Sequence, residues 1–227
     1  MVLVGLMATK GSGKSTAANH MVKNYDFIEA SMAEPLKKAC QELFLFTDEQ
    51  VFGTQQQKET PDLRWFGCTP RSALQYVGTD LLRENMEKIM PGLQKNIFTH
   101  RFKLWYEQEL AKNPNLRVVV SDIRFQNEAD FIHSLGGVVV KINRPSETTS
   151  DVHSSEVELQ NIKSYDLLIE NKSTLEDFHD QLDIFVTCGL KISRPLRFFL
   201  VDMVSDVLTY IPIIGYVILK YNWLRLI

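Results

Sequence analysis

The first twenty-three residues constrain the fold of this chain more than any other part of it. Residues 2–7 form a short apolar run, and a glycine-rich segment, Ala8-Thr-Lys-Gly-Ser-Gly-Lys-Ser15, follows it directly. The pattern of residues 15–23 then predicts a helix. A continuous apolar run of this length is typical of a strand buried on both faces, as in a parallel sheet. A strand, a glycine-rich turn and a helix in this order predict an α/β domain.

The rest of the chain continues this alternation of strands and helices. Strands are predicted at residues 27–31, 116–121, 138–142 and 165–169, and helices at 35–44, 71–90, 94–112, 125–135 and 173–186. The alternation predicts a mainly parallel sheet with helices on both faces. The polar stretch 47–70 contains glycines and prolines, and we expect it to be a long functional loop.

Composition excludes several classes of protein. The chain has 227 residues, of which 44% are hydrophobic and 23% charged, as in a globular protein with one α/β domain. A net charge of -3 argues against binding nucleic acid over a whole surface. Three widely spaced cysteines without a C-x-x-C pair fit a reducing compartment and argue against zinc. With no signal-peptide pattern at the start, a cytoplasmic location is expected.

The glycine-rich segment matches the phosphate-loop pattern G-x-x-x-x-G-K-[ST], with Ala8 in place of the first glycine. Its glycines allow successive backbone N–H groups to converge on phosphate oxygens at the start of the helix. The lysine is predicted to reach the β- and γ-phosphates of ATP, and Ser15 to bind Mg²⁺. The alternative is a glycine-rich turn beside a surface lysine. The predicted ATP-binding residues are Thr9, Lys10, Gly11, Ser12, Gly13, Lys14, Ser15 and Thr16.

Asp122 and Arg124 follow a predicted buried strand, at the sheet edge where open α/β folds bind ligands. Asp122 is expected to hold Mg²⁺ through water or to accept a proton from the acceptor. Arg124 is expected to bind a phosphate with two hydrogen bonds. The alternative for Asp122 is a cap on the following helix, paired with the arginine.

Five sequence blocks in order resemble the deoxynucleoside monophosphate kinases of bacteriophages and large DNA viruses, a branch of the P-loop nucleoside monophosphate kinases. The resemblance covers residues 1–186 and implies transfer of the ATP γ-phosphoryl group to the 5′-phosphate of a deoxynucleotide, with Mg²⁺. The blocks are the initial strand and phosphate loop, Ser31-Met-Ala-Glu-Pro-Leu-Lys37, Leu74-Gln-Tyr-Val-Gly-Thr-Asp-Leu-Leu-Arg83, Ser121-Asp-Ile-Arg-Phe-Gln-Asn-Glu128 and Asp151-Val-His-Ser-Ser-Glu156.

The resemblance also implies residue roles. Lys37, Arg83 and Arg124 are candidates for the acceptor phosphate, and Gln75 and Asp80 for the sugar or base. Arg64 and Trp65 are candidates for closing over the base, although a surface arginine beside a core tryptophan is the favoured alternative. Arg144 is expected to reach the phosphates from a lid at residues 143–163. Asn171 is expected near the adenine, with helix capping as its alternative. The four predicted catalytic residues are Lys14, Asp122, Arg124 and Arg144.

The predicted kinase domain spans residues 1–187, with a helical acceptor-binding insertion at about 35–112. Two other functions stay open on the sequence alone. A phosphomevalonate-kinase-like enzyme shares a comparable Ser-Asp-x-Arg block and an Ile-Glu-Asn strand end. A non-catalytic nucleotide-binding scaffold would keep the phosphate loop but lack turnover.

Residues 188–227 form an apolar tail in which the resemblance stops. Polar residues recur on one stripe of a predicted helix between residues 195 and 211, and basic residues flank the apolar runs. This pattern is compatible with a helix lying in a membrane interface. The favoured alternative is packing on the core or on a second subunit, which would make a homodimer. The polar residues of the stripe are Asp202, Ser205, Asp206 and Thr209.

Overall fold

A computed structural model describes residues 1–9, 11–144, 162 and 164–191 of the chain. Its described strands form one sheet in the order β2-β3-β1-β4-β5, and every neighbouring pair is parallel. The predicted fold class is therefore confirmed. The strands are β1 (Val2–Ala8), β2 (Ile28–Ala30), β3 (Arg117–Ile123), β4 (Val138–Asn143) and β5 (Leu167–Glu170).

Helices join the strands and cover both faces of the sheet. One face packs against α1 and α8, and the other against α2, α6 and α7. Alternate residues of β3 serve the two faces, with Val118 and Val120 on one and Val119 on the other, all fully buried. The long helices are α1 (Lys14–Tyr25), α2 (Glu34–Phe44), α6 (Ile97–Lys112), α7 (Gln126–Ser134) and α8 (Leu175–Thr187).

The stretch predicted as a long loop is folded into short helices, so that prediction is wrong. Helices α3 (Asp48–Phe52) and α4 (Gln55–Glu59) each begin with a capping box, in which a threonine and the glutamine three residues later exchange hydrogen bonds. The threonines are Thr47 and Thr54. A 3₁₀-helix, Leu63–Trp65, completes the stretch.

The helix predicted at residues 71–90 is irregular. It begins as α5 (Pro70–Gln75), widens into a π-helix over Tyr76–Arg83 and ends after a 3₁₀-helix at Met86–Lys88. The wider turn brings Gly78 against Leu36 of α2, because a methyl group at Gly78 would lie 2.7 Å from that leucine's Cδ2. Tertiary packing therefore accompanies the departure from α-helical geometry.

The predicted lid and tail lie almost wholly outside the described residues. Of the lid, the structure describes Asn143, Arg144 and Ile162, and the described chain closes with a 3₁₀-helix at Gly189–Lys191. Within the described ranges, no helix is both long and apolar enough to cross a membrane. The domain boundary, the lid, the homodimer and the membrane contact stay predictions.

Candidate functional site

The glycine-rich loop connects the end of β1 to the start of α1. Its two glycines have left-handed backbones, with φ +78° at Gly11 and +100° at Gly13. Ala8 is the last residue of β1 and does not have a positive φ, so alanine fits where the pattern has glycine. The side chain of Thr9 contacts the Ser12 hydroxyl at 2.7 Å, which ties the two ends of the turn together. Both glycines therefore have the backbone conformation that other residues rarely adopt.

Helix α1 begins without a side-chain cap, since its N-cap is Gly13. The first N–H groups of such a helix have no partner within it, and they favour anions at this end. Lys14 is half-buried and Ser15 exposed in the first turn, both next to these N–H groups. This uncapped, lysine-bearing helix start is suited to binding a polyphosphate.

Asn171 braces the glycine-rich loop from the end of β5. Its side-chain Nδ2–H donates to the Ser12 carbonyl at 3.1 Å, and its backbone N–H donates to Asn143 at 2.8 Å. The residue therefore links the loop to the ends of β4 and β5. Sequence reasoning placed Asn171 near the adenine or at a helix cap, and the observed contact is a third role that neither reading anticipated.

Asp122 lies within β3 and holds the turn between β2 and α2. Its carboxylate accepts hydrogen bonds from the Ser31 hydroxyl at 2.7 Å and from the N–H groups of Met32 and Ala33, both at 2.9 Å. These donors satisfy most of its acceptor capacity. The aspartate thus fixes the start of α2, rather than capping the helix that follows it in sequence.

Arg83 and Glu128 form a buried ion pair beside Arg124. One Glu128 oxygen is paired with Arg83, and the other accepts the backbone N–H groups of Arg124 at 2.9 Å and Phe125 at 3.2 Å. Burial raises the pKa of the Glu128 carboxyl, while the Arg83 guanidinium opposes that shift. The expectation that Arg83 binds the acceptor phosphate is therefore not supported by its contacts.

Four positively charged side chains form a cluster. They belong to Lys37, Lys58, Arg71 and Arg124. Burial lowers the pKa of Lys58, and the charges of the other three lower it further. Within the described residues, no carboxylate lies within ion-pair distance of Lys37 or Lys58. We call these four residues the basic cluster. Such a collection of cations favours an anionic ligand.

Arg71 contributes an incompletely satisfied donor to the basic cluster. One of its terminal nitrogens donates to Gln55 at 2.5 Å, and its buried Nε lies 3.4 Å from a carboxylate oxygen of Glu59 without forming a hydrogen bond. Sequence reasoning named neither Lys58 nor Arg71. Their positions depend on how α2, α4 and α5 pack together, and no local sequence signal marks them.

Arg64 and Trp65 make contacts that hold residues 44–65 together. The arginine pairs with Asp62 at 2.6 Å, and its hydrogen bonds keep the pKa of that carboxyl well below its usual range. The Trp65 indole N–H donates to the Phe44 carbonyl at 2.7 Å. These contacts support the structural alternative for both residues. Closing over a base stays an untested prediction, as do the roles of half-buried Gln75 and exposed Asp80.

The described residues are compatible with a magnesium ion held mostly by nucleotide and water. No group of three or more His, Cys, Asp or Glu side chains in the described ranges could hold a metal ion by itself. Ser15 is exposed at the start of α1, and Asp122 keeps one acceptor position on Oδ1. Mg²⁺ is commonly bound through one or two protein oxygens plus substrate phosphates.

Comparisons with known proteins identify the family of this chain. A family model described as deoxynucleotide monophosphate kinase matches residues 68–182. A protein of Acanthamoeba polyphaga mimivirus that carries the same kinase name is 63% identical over 182 residues, which are 80% of this chain and 94% of that protein. The chain belongs to the deoxynucleotide monophosphate kinase family. The resemblance stated from the sequence blocks of this kinase is confirmed.

One further relative and two solved structures also show similarity to this chain. The deoxynucleotide monophosphate kinase of Enterobacteria phage T4 is 27% identical over 112 residues, 49% of this chain and 43% of the phage protein. A dephospho-CoA kinase from Campylobacter jejuni is 17% identical with a TM-score of 0.46, covering 83% of this chain and 97% of that one. A shikimate kinase from Aquifex aeolicus is 12% identical with a TM-score of 0.41, covering 82% and 96%.

Proposed function

We propose that this protein transfers the γ-phosphoryl group of ATP to the 5′-phosphate of a deoxynucleoside monophosphate, which yields the diphosphate. Family membership supports the reaction, and the basic cluster around Arg124 is the structural observation that carries the proposal. Arg124 follows β3, and the phosphate loop follows its neighbour β1. Because parallel strands end at the same edge of a sheet, donor and acceptor phosphates would meet there.

The donor phosphates are assigned to the glycine-rich loop. Lys14 and the first N–H groups of α1 would bind the β- and γ-phosphates, and Asn171 would keep the loop in shape. Mg²⁺ would be held by Ser15 and, through water, by Asp122. When bound, the ion neutralises charge on the phosphate oxygens. Arg144 stands at the start of the predicted lid and is the candidate for an additional charge on the transferring group.

The acceptor phosphate is assigned to the basic cluster. Lys37 and Lys58 offer ammonium groups without carboxylate partners among the described residues, and Arg71 adds a guanidinium whose Nε lies 3.4 Å from Glu59 but makes no hydrogen bond. These groups would bring two anionic molecules together and orient the acceptor oxygen toward the γ-phosphorus. Positioning and charge neutralisation supply the catalysis, since phosphoryl transfer needs no covalent enzyme intermediate.

A substrate panel tests this function. Purified protein with Mg·ATP is given deoxynucleoside monophosphates, ribonucleoside monophosphates or phosphomevalonate, and ADP release is measured by a coupled assay. Release with the deoxynucleotides is the expected result. Release with phosphomevalonate alone would favour the other small-molecule kinase, and no release with any acceptor would favour the non-catalytic scaffold.

Two adjacent lysines of α2 provide a matched test of the acceptor assignment. Lys37 belongs to the basic cluster, whereas Lys38 pairs with Glu34 at 2.6 Å and is exposed. Lys37→Met is expected to raise the KM for the acceptor about tenfold or more, because a hydrogen bond to a charged group contributes about 1.5–3 kcal/mol. Lys38→Met is expected to leave that KM unchanged. Equal effects would contradict the assignment.

A further inference from the structure

Arg83 is enclosed by parts of the chain that are far apart in sequence. It ends the π-helix, its guanidinium carbon lies 3.8 Å from the centre of the Phe125 ring and 4.8 Å from that of Phe98, and it pairs with Glu128. Its side chain is only 10% exposed. Stacking on aromatic faces and pairing with a carboxylate use most of the binding capacity of an arginine. The Arg83 guanidinium therefore has few groups left with which to bind a substrate.

Glu128 connects the Arg83 side chain to the backbone of Arg124. Its side chain is 3% exposed, and it stands in the first turn of α7, where its second oxygen receives the two N–H groups that precede the helix. Phe125, at the N-cap, has no side-chain acceptor with which to complete a capping box. The glutamate is therefore what orders the turn carrying Arg124.

We propose that Arg83 and Glu128 are positioning residues that hold Arg124 in place for the acceptor phosphate. This inference rests on the function proposed above. The pair connects the π-helix, which ends in Arg83, to the turn between β3 and α7, which carries Arg124. Acceptor affinity then depends on a contact that never touches the acceptor, while the ATP site stays independent of it.

A purely structural ion pair would behave differently. Loss of a buried ion pair lowers stability in either case, so unfolding alone does not separate the two roles. A structural role predicts a smaller folded fraction with both KM values unchanged. A positioning role predicts an acceptor-specific rise in KM, because small displacements of a binding group in an active site can cost as much as about a hundredfold.

The experiment compares Glu128→Gln and Arg83→Lys with the unmodified full-length protein. Both changes keep approximate size, and Arg83→Lys also keeps the charge, so it serves if Glu128→Gln does not fold. We expect the KM for the deoxynucleoside monophosphate to rise about tenfold or more in each, with the KM for ATP changing less than about twofold. The double variant should resemble the single ones, because coupled residues are not additive.

Ile132→Ala is the matched control, since Ile132 is fully buried on the same helix and belongs to neither site. It should lower the melting temperature and leave both KM values unchanged. A Glu128→Gln protein that folds with an unchanged acceptor KM would overturn the inference. So would an acceptor effect of Arg83→Lys alone, which would mean that Arg83 binds phosphate directly. If the unmodified protein phosphorylates no deoxynucleotide, the proposed function itself fails.

Discussion

Gly13→Ala tests how the phosphate loop is braced, and Gly11→Ala is its control. Both glycines have a positive φ, so an alanine at either position is strained by about 1–2 kcal/mol. They differ in their surroundings. A methyl group at Gly13 would lie 2.6 Å from Asn171 Nδ2 and 3.3 Å from Phe178 Cε1, whereas one at Gly11 would meet no described atom within 4 Å.

The expected magnitudes follow from these contacts. Gly11→Ala should cost only the backbone strain. Gly13→Ala should also displace Asn171 from the Ser12 carbonyl, which loses a hydrogen bond worth about 1 kcal/mol, and should crowd Phe178 at about 1–3 kcal/mol. We therefore expect a total loss of about 3–6 kcal/mol at Gly13 and about 1–2 kcal/mol at Gly11.

Thermal unfolding of the ligand-free protein measures both losses without involving phosphate. For a chain of this size, 1 kcal/mol corresponds to about 2–4 °C in Tm. Titration with ATP then reports whether the displaced loop still binds the nucleotide. We expect weaker ATP binding for Gly13→Ala than for the unmodified protein, in proportion to the disturbance of the loop.

The double variant Gly13→Ala/Asn171→Ala separates the collision from the backbone strain. Removing the Asn171 amide should relieve the collision, so the two changes together should cost less than their separate losses added. Asn171→Ala alone should cost about 1 kcal/mol. Equal losses at the two glycines, or strict additivity in the double variant, would refute the bracing role of Asn171.

Four further predictions concern other parts of the molecule. Burial and neighbouring cations lower the pKa of Lys58, so its proton should be lost at a lower pH than that of an ordinary lysine. The KM for the acceptor should therefore rise at alkaline pH, and it should rise less in the Lys58→Arg protein. That lowered pKa also means that the folded state gains stability as the Lys58 proton is lost, which unfolding at two alkaline pH values can check. Burial and Asp183 raise the pKa of Tyr25 from 10.0 to about 12, so stability should fall across that pH interval, and Tyr25→Phe should remove this loss. A chain ending at Lys191 should keep its kinase activity; liposome flotation beside the full chain would expose any membrane contact of the tail.

Sequence reasoning succeeded where the signal was local. The phosphate loop is marked by two glycines close together in the sequence, both of which have a positive φ. The buried strands are marked by uninterrupted apolar runs. It failed at residues 47–70 although a local signal existed. Thr47 and Thr54 are each followed three residues later by glutamine, which is the capping-box pattern of a helix start. Gly53 and Pro61 lie between the short helices and do not prevent them from forming.

The rest of the site depends on packing that no local pattern reveals. Lys58 joins the basic cluster because α4 lies against neighbouring short helices, and its own sequence surroundings resemble an ordinary surface helix. Arg83 was assigned to phosphate by resemblance, yet its partner Glu128 is 45 residues away in the chain. The departure from α-helical geometry around Gly78 likewise involves contact with Leu36. At these positions a local pattern can suggest a role for a residue, but it cannot identify the distant residue that this one contacts.

The hydrogen bond between Asn171 and Ser12 also bears on the order in which the protein becomes functional during synthesis. The glycine-rich loop leaves the ribosome 159 residues before the amide that braces it. Strand β1 gains its neighbours β3 and β4 before β5 arrives beside β4. A nascent chain would therefore carry the glycine-rich loop long before Asn171 could brace it, and that bracing would come directly after β5.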